Sequence, residues 1–316
     1  MEYLLLAGAC ICFSVQFIFS KLFQKRTDGT VHASMWSNLL SGTAMFIIFF
    51  CINGFKIGFS WTSAGLALIY ALSSIICTCA SIIGMTSTTV AAMTLYTLLG
   101  GVVLPFFYGV IRLGEHPSVF RWIGVSLMVS AAVIPYVINS IEKKEIQTGN
   151  AGPSAKNRKL TAAVCCALVF LTNGLISIAT KAASTVEDAI GENDFMLLGT
   201  VVRIAGSVLI LIFLALRAKS KNPLPVDPIT NAPANAKAFT ILFLISFFYA
   251  VLNGAGNIFS LNCAKTMDAS LQFPIISAAC IIFTAVIGLI AFKEKPGKGD
   301  LIGIVTATAG IIFSIF

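Results

Sequence analysis

Charge is what this sequence has least of. Of its 316 residues, 11% are charged, against roughly 25% in an ordinary soluble domain. That is too little polar material to cover a soluble surface. Histidine is nearly absent: only His32 and His116 occur, both at the edges of apolar runs. The nine cysteines (10, 12, 51, 77, 79, 165, 166, 263 and 280) include no Cys-x-x-Cys pair and no Cys/His cluster. Neither a zinc site nor a disulfide framework is indicated, and they read as small packing residues. An integral-membrane enzyme would be expected to carry paired acids, a His cluster or a nucleophile–base pair; with two edge histidines and no DDxxD-type diphosphate motif, that class is disfavoured. No metal or cofactor is expected. Finally, no Asp or Glu lies near the middle of any apolar run. A scheme in which a proton and a cationic drug compete for one membrane carboxylate therefore has no obvious residue.

Apolar sequence fills the rest, at 57%. Phe239 to Cys263 runs 25 residues without a charge, and Thr62 to Gly84 runs 23. About 20 apolar residues at 1.5 Å each cross a hydrocarbon core of roughly 30 Å. Ten such spans are predicted: 3–23, 34–53, 61–83, 88–111, 118–140, 160–183, 194–216, 239–263, 270–292 and 299–316. All should be helices, because an open strand in lipid leaves backbone groups unpaired. The first is read as a retained span and not a signal peptide, since Glu2 precedes it while Lys21, Lys25 and Arg26 follow. Trp36, Trp61 and Trp122 each open a span, the level at which amphipathic rings anchor. Residues 142–159 (EKKEIQTGNAGPSAKNRK) read as a mobile basic linker, and 217–237, with four prolines, as an irregular loop. The other connections are short, which predicts that sequence neighbours pack as antiparallel hairpins. Loops after spans 1, 3, 5, 7 and 9 hold 15 of the 21 Lys and Arg. The positive-inside rule makes that side cytoplasmic and both termini extracytoplasmic, in a multi-pass cell-membrane protein. The +8 charge then meets anionic lipid headgroups and implies no nucleic-acid partner.

The chain says one thing twice. LGEHPSVFRWIG (113–124) and FKEKPGKGDLIG (292–303) share Glu, Pro, Ile and Gly at the same four places. Each window joins the fourth and fifth spans of its half. Met35 and Met196, each early in the second span of its half, repeat at a separation of 161, against 179 for Glu115 and Glu294. This predicts a first five-helix repeat at 1–140, a polar linker at 141–159 and a second repeat at 160–316. Five is odd, so the second copy enters the membrane from the opposite face, as an inverted repeat. Glu115, Pro117 and Gly124, with Glu294, Pro296 and Gly303, are read as a structural motif. Its carboxylates sit where a helix start offers unpaired N–H groups.

The pattern resembles the drug/metabolite transporter superfamily, in its EamA-like ten-helix branch. The first copy of the motif is close to that family's signature, while the second lacks the Leu-Gly before its Glu. The resemblance covers essentially the whole chain. It implies secondary transport of a small organic solute, with the pocket between the halves and the fifth and tenth helices peripheral. Related sugar-nucleotide carriers hold substrate through a lysine near the position of Gln272. Glutamine there puts a phosphate-bearing sugar nucleotide in doubt.

Intramembrane polar residues are the candidate ligands. Arg203 lies near the centre of the seventh span, where insertion costs about 2.5–3.5 kcal/mol. It would attract a carboxylate or phosphate, or else bond to neighbouring carbonyls or snorkel outward. Asn253 and Asn257, at i and i+4, share one helical face and suit either a substrate or an interhelical clamp. Gln16 and Asn173 are lone amides at roughly corresponding places in the two halves. Tyr96 could stack on a ligand or pack with its hydroxyl bonded. Asn38 and Trp36 lie nearer a membrane edge and are weaker candidates. The leading expectation is a secondary transporter of a small polar metabolite, an amino acid or organic acid, neutral or anionic. The alternative is an exporter or flippase of amphipathic or cationic compounds. Proton or sodium coupling and a homodimer are both compatible with the sequence.

Overall fold

The structure is a computed structural model. It describes residues 2–27, 29–112, 114, 116–146, 153–183, 186, 188, 190–218, 236–264, 269–293 and 297–315. Within helices, the side chains of 2, 135–137, 139–146, 153–157, 159, 218, 236–238, 260–262, 264, 269–274 and 315 fall outside it. Among the described residues there are ten helices and no strand. They are α1 (Glu2–Arg26), α2 (Val31–Ile52), α3 (Trp61–Gly84), α4 (Val90–Arg112) and α5 (Val119–Ile146), then α6 (Pro153–Ala183), α7 (Glu192–Ala218), α8 (Ala236–Ala264), α9 (Ala269–Phe292) and α10 (Lys298–Ile315). Eight are long and apolar enough to cross a membrane; α5 contributes a shorter apolar stretch, Val119–Ile134. Their outward faces are apolar, as at Leu209, Ile212, Phe213 and Leu216 of α7. That is the surface hydrocarbon covers.

Local chemistry starts and stops these helices. Thr30 and Ser60 cap α2 and α3, each side-chain oxygen accepting an N–H three residues on, at 3.3 Å. Hydroxyls inside the helices donate back to the carbonyl one turn earlier, as Thr97 does to Met93 (2.7 Å) and Thr284 to Cys280 (2.6 Å). Such back-bonding keeps these hydroxyl hydrogens paired within the helix.

The doubled motif has one backbone design. Gly114 follows α4 with φ +67°, and Lys293 follows α9 with φ +52°. The left-handed residue that ends each helix therefore stands just before each Glu, and the second copy keeps this conformation without a glycine. The caps of the next helices come from Ser118, whose Oγ accepts from Arg121 N (3.4 Å), and Asp300, whose carboxylate accepts from Gly297 N (3.1 Å). Glu115, Glu294 and Pro296 lie outside the described residues. Pro117 is half-buried just before α5, and Gly303 is buried in α10.

Two expectations fail here. The segment 142–159 is largely helical: α5 continues through Ile146 and α6 begins at Pro153. Glu and Lys are good helix formers, and a proline at the first helical position has its φ already set and no N–H to lose. Sequence neighbours are also not the main packing partners. Among the described residues, the most extensive packing joins α5 to α10, α1 to α8, α3 to α6 and α4 to α6. Next come α2 with α7, α3 with α7, α2 with α8, and α1 with α9. In lipid no hydrophobic drive brings neighbours together, so close approach at small residues decides. Gly124 of α5 and Gly310 of α10 supply it: a Cβ on Gly124 would stand 2.6 Å from the Gly310 oxygen and 2.7 Å from Ser314 N. Around that crossing Met128, Ala131, Ala307 and Ile311 are fully buried.

Lys21 also departs from its reading as a flanking residue. It lies within α1, is buried, and its ammonium donates to the Met85 carbonyl at the end of α3 (2.8 Å). The first turn of α7 and the segment before it are tied to the α2–α3 connection. Asp194 accepts from Asn53 Nδ2 and Gly58 N, both at 2.7 Å, and Asp188 accepts from the hydroxyls of Ser60 and Thr62.

Candidate functional site

The helices α2 and α7 cross at Gly42, where an added Cβ would meet Ile204 Cγ1 at 3.2 Å and Arg203 Cδ at 4.0 Å. The small residue lets α7 approach closely enough for its arginine to lie against α2. Arg203 is 7% exposed. Its Nε donates to Asn38 Oδ1 at 2.8 Å and its Nη2 to Ser41 Oγ at 3.0 Å. Asn38 is itself fully buried, with Nδ2 donating to the Ser34 carbonyl (3.2 Å). The arginine neither snorkels nor rests on backbone carbonyls, because two neutral side chains one turn apart hold it.

No carboxylate among the described residues pairs with this guanidinium. Five N–H donors are available to an arginine, and two are used. Among the described residues Nη1 makes no hydrogen bond, and it keeps some accessible surface. The charge reaches the side chains of Tyr70, Cys77 and Cys79 on α3 and Tyr249 on α8. A buried guanidinium with an unused donor edge has the chemistry to take a carboxylate or phosphate in a bidentate contact.

A second polar group lies on α1 and α8. Asn253 Nδ2 donates to Gln16 Oε1 at 2.6 Å. Asn257 Nδ2 donates to the Asn253 carbonyl at 2.8 Å and to its Oδ1 at 3.1 Å. These three amides form one relay. Gly256 beside them abuts the Phe13 ring of α1, which brings the two helices close enough for it.

Two other candidates are spent on packing. Asn173 Nδ2 donates to the Thr97 carbonyl at 2.7 Å, clamping α6 to α4. Gln16 meets α8 instead, so these two amides do not make equivalent contacts. The Tyr96 hydroxyl donates to the Ala132 carbonyl at 2.8 Å, joining α4 to α5. The side chain of Gln272 lies outside the described residues. Asn38 and Ser41 are the residues the sequence reading undervalued or missed. The available signal was the i, i+3 spacing of two polar residues beside Gly42, in a helix otherwise rich in Leu, Phe and Ile.

No family model matches this sequence, and no curated protein matches it. Among solved structures, a chain described only as "Crystal structure of protein" aligns over 98% of this chain and 97% of its own. The TM-score is 0.50 and the identity 13%, so the likeness concerns the fold alone. This helical architecture is thus similar, over nearly its full length, to one that a solved protein adopts.

Proposed function

We propose that this protein is a secondary transporter of a small polar metabolite, neutral or anionic and of the amino-acid or organic-acid kind. It resembles the EamA-like branch of the drug/metabolite transporters and works by alternating access between two inverted five-helix repeats. The observation that carries the reading is Arg203, a buried cation on α7 with no carboxylate partner among the described residues and an unused Nη1 edge. A purely structural arginine in a membrane would be expected to satisfy its donors and neutralise its charge.

The helix pairing supports the repeat. Replacing each helix by the one five positions on exchanges α1–α8 with α6–α3, α3–α7 with α8–α2, α4–α6 with α9–α1, and α4–α5 with α9–α10. It maps α2–α7, α4–α9 and α5–α10 onto themselves. The more extensive contacts are thus kept under that exchange, as a pseudo-two-fold between halves would require, while the smaller α2–α3 contact has no α7–α8 counterpart of like extent among the described residues. Two such halves can exchange conformations and so alternate the side to which a central site opens.

A second reading, an exporter or flippase of amphipathic compounds, is favoured by a cleft of about 330 Å³ between α2 and α7. It is lined by His32, Trp36, Leu39, Val208, Leu211 and Ile212, and its walls are mostly apolar. The two readings separate in one experiment. The purified protein is melted in detergent with anions, zwitterions, neutral polyols and quaternary amines. A specific ligand at 100 times its Kd adds about 2.7 kcal/mol. Stabilisation by carboxylates or amino acids that Arg203→Gln abolishes supports the metabolite carrier. Stabilisation only by cations or amphiphiles refutes it in favour of the exporter.

A further inference from the structure

Resting on the carrier reading above, we propose that Tyr70 and Tyr249 are a symmetry-related pair of ligand-binding residues that, with Arg203, select monocarboxylates. The sequence repeats around them. Tyr70-Ala71 on α3 and Tyr249-Ala250 on α8 are 179 residues apart, the separation that relates Glu115 to Glu294. Both alanines are fully buried. Polar residues follow each tyrosine at +4 and +8: Ser74 and Thr78 on α3, Asn253 and Asn257 on α8. Steps of four keep each set on one helical face, so the amide relay continues the Tyr249 face one turn on, about 6 Å along the helix.

Both phenols are open. Neither hydroxyl has a hydrogen-bond partner among the described residues, and each keeps some accessible surface. Each tyrosine is only partly buried. Tyr70 packs edge-on against buried Phe195 at 5.7 Å and lies on Gly199, both of α7. Each phenol also lies within electrostatic reach of the other and of Arg203. A buried tyrosine hydroxyl ordinarily finds a partner. Two that do not, beside a guanidinium with a free Nη1, make a three-donor set with a single positive charge.

That set specifies its ligand. Phenols donate to an oxyanion through short charge-assisted bonds but add no charge. The site therefore neutralises one negative charge and leaves a second one unpaired in a low-dielectric interior, which is costly. A monocarboxylate fits, whereas a dicarboxylate or a phosphate dianion does not. The α8 amide relay lies where the neutral polar part of such a ligand would extend.

The test uses full-length protein in detergent, with lactate, benzoate, glutamine, succinate and inorganic phosphate as probes. Apparent Kd is read from melting temperature against concentration. Monocarboxylates should bind the wild type at least tenfold more tightly than succinate or phosphate. Tyr70→Phe and Tyr249→Phe keep the rings and the packing, so both should melt near the wild-type temperature without ligand. Each should weaken monocarboxylate binding about tenfold or more, the loss expected for one hydrogen bond to a charged group. If Arg203→Gln abolishes binding but both Phe variants bind as the wild type does, the tyrosine pair is packing and this inference falls while the carrier reading stands. If succinate or phosphate binds as tightly as lactate, the single-charge selection falls. If no anion stabilises the wild type, this inference falls, and the carrier reading then stands only if a neutral polar solute stabilises it.

Discussion

Substituting Gly124 by alanine tests the packing on which the rest of the architecture depends. The added carbon would stand 2.6 Å from the Gly310 oxygen, 2.7 Å from Ser314 N and 3.0 Å from Ser314 Cα. All three are backbone atoms, so no flexible side chain can yield. Restoring an ordinary contact of about 3.4 Å requires α5 and α10 to separate by roughly 0.8 Å there. The separation loosens a contact line in which Met128, Ala131, Ala307 and Ile311 have no exposed surface. Overpacking of this kind costs about 1–3 kcal/mol. At roughly 2–4 °C per kcal/mol for a chain of a few hundred residues, the melting temperature should drop by several degrees. The control is Gly65→Ala on α3, where an added Cβ meets nothing within 4 Å. Alanine there should be neutral or stabilise by up to about 1 kcal/mol through helix propensity. The assay is thermal unfolding in detergent followed by intrinsic fluorescence. A Gly124→Ala protein that melts with the wild type would refute the backbone contact between α5 and α10.

Lys293 holds the left-handed conformation that Gly114 holds in the other copy of the motif. Lys293→Gly should therefore remove about 1 kcal/mol of strain, less the few tenths a cation contributes at a helix C-terminus. It should raise the melting temperature, while Gly114→Ala lowers it; equal shifts in one direction would sink the assignment. Asp188, an exposed residue, has its carboxyl held below the usual range because Ser60 and Thr62 donate hydroxyls to it. A depressed carboxylate pKa stabilises the fold above the unfolded value near 3.9 and loses that contribution as pH falls through the folded value. The melting temperature should thus fall more steeply between pH 5 and pH 3 in the wild type than in a Ser60→Ala, Thr62→Ala double variant. Identical slopes would show that this tie contributes nothing.

Helix positions were legible because hydrocarbon imposes one rule on length and polarity. The span predicted at 61–83 is Trp61–Gly84, and that at 88–111 is Val90–Arg112. Partners were not legible, because every span carries the same apolar surface and the glycines that choose among them act in pairs across the whole chain. Site residues divide along the same line. Arg203 stood out by cost alone. Asn38 did not, because depth was counted along its own helix, where it lies seven residues from Val31; the offset between α2 and α7 brings it level with the arginine. Tyr96 and Tyr70 look alike in sequence. Only packing tells the hydroxyl bonded to Ala132 from the one left open.

On the proposed reading the repeat lies in the backbone more than in the side chains, and it would break at the candidate site. At the separation of 161 that relates α2 to α7, the counterpart of Arg203 is Gly42, and the counterpart of Asn38 is Gly199. The helix that lacks the cation supplies its acceptors, Asn38 and Ser41, and the glycine beside which it lies. The helix that carries the cation has a glycine where the asparagine would be, and Tyr70 occupies that room, 2.8 Å from the position a Cβ would take. Two arginines related by the pseudo-two-fold would face each other across the crossing, and their repulsion in a low dielectric would open it. One arginine against one glycine keeps the helices in contact and leaves a single charge to be answered. On the proposed reading this division has a purpose. Equivalent backbones give the carrier two conformations of similar energy, and inequivalent side chains let it hold one ligand in one orientation in both.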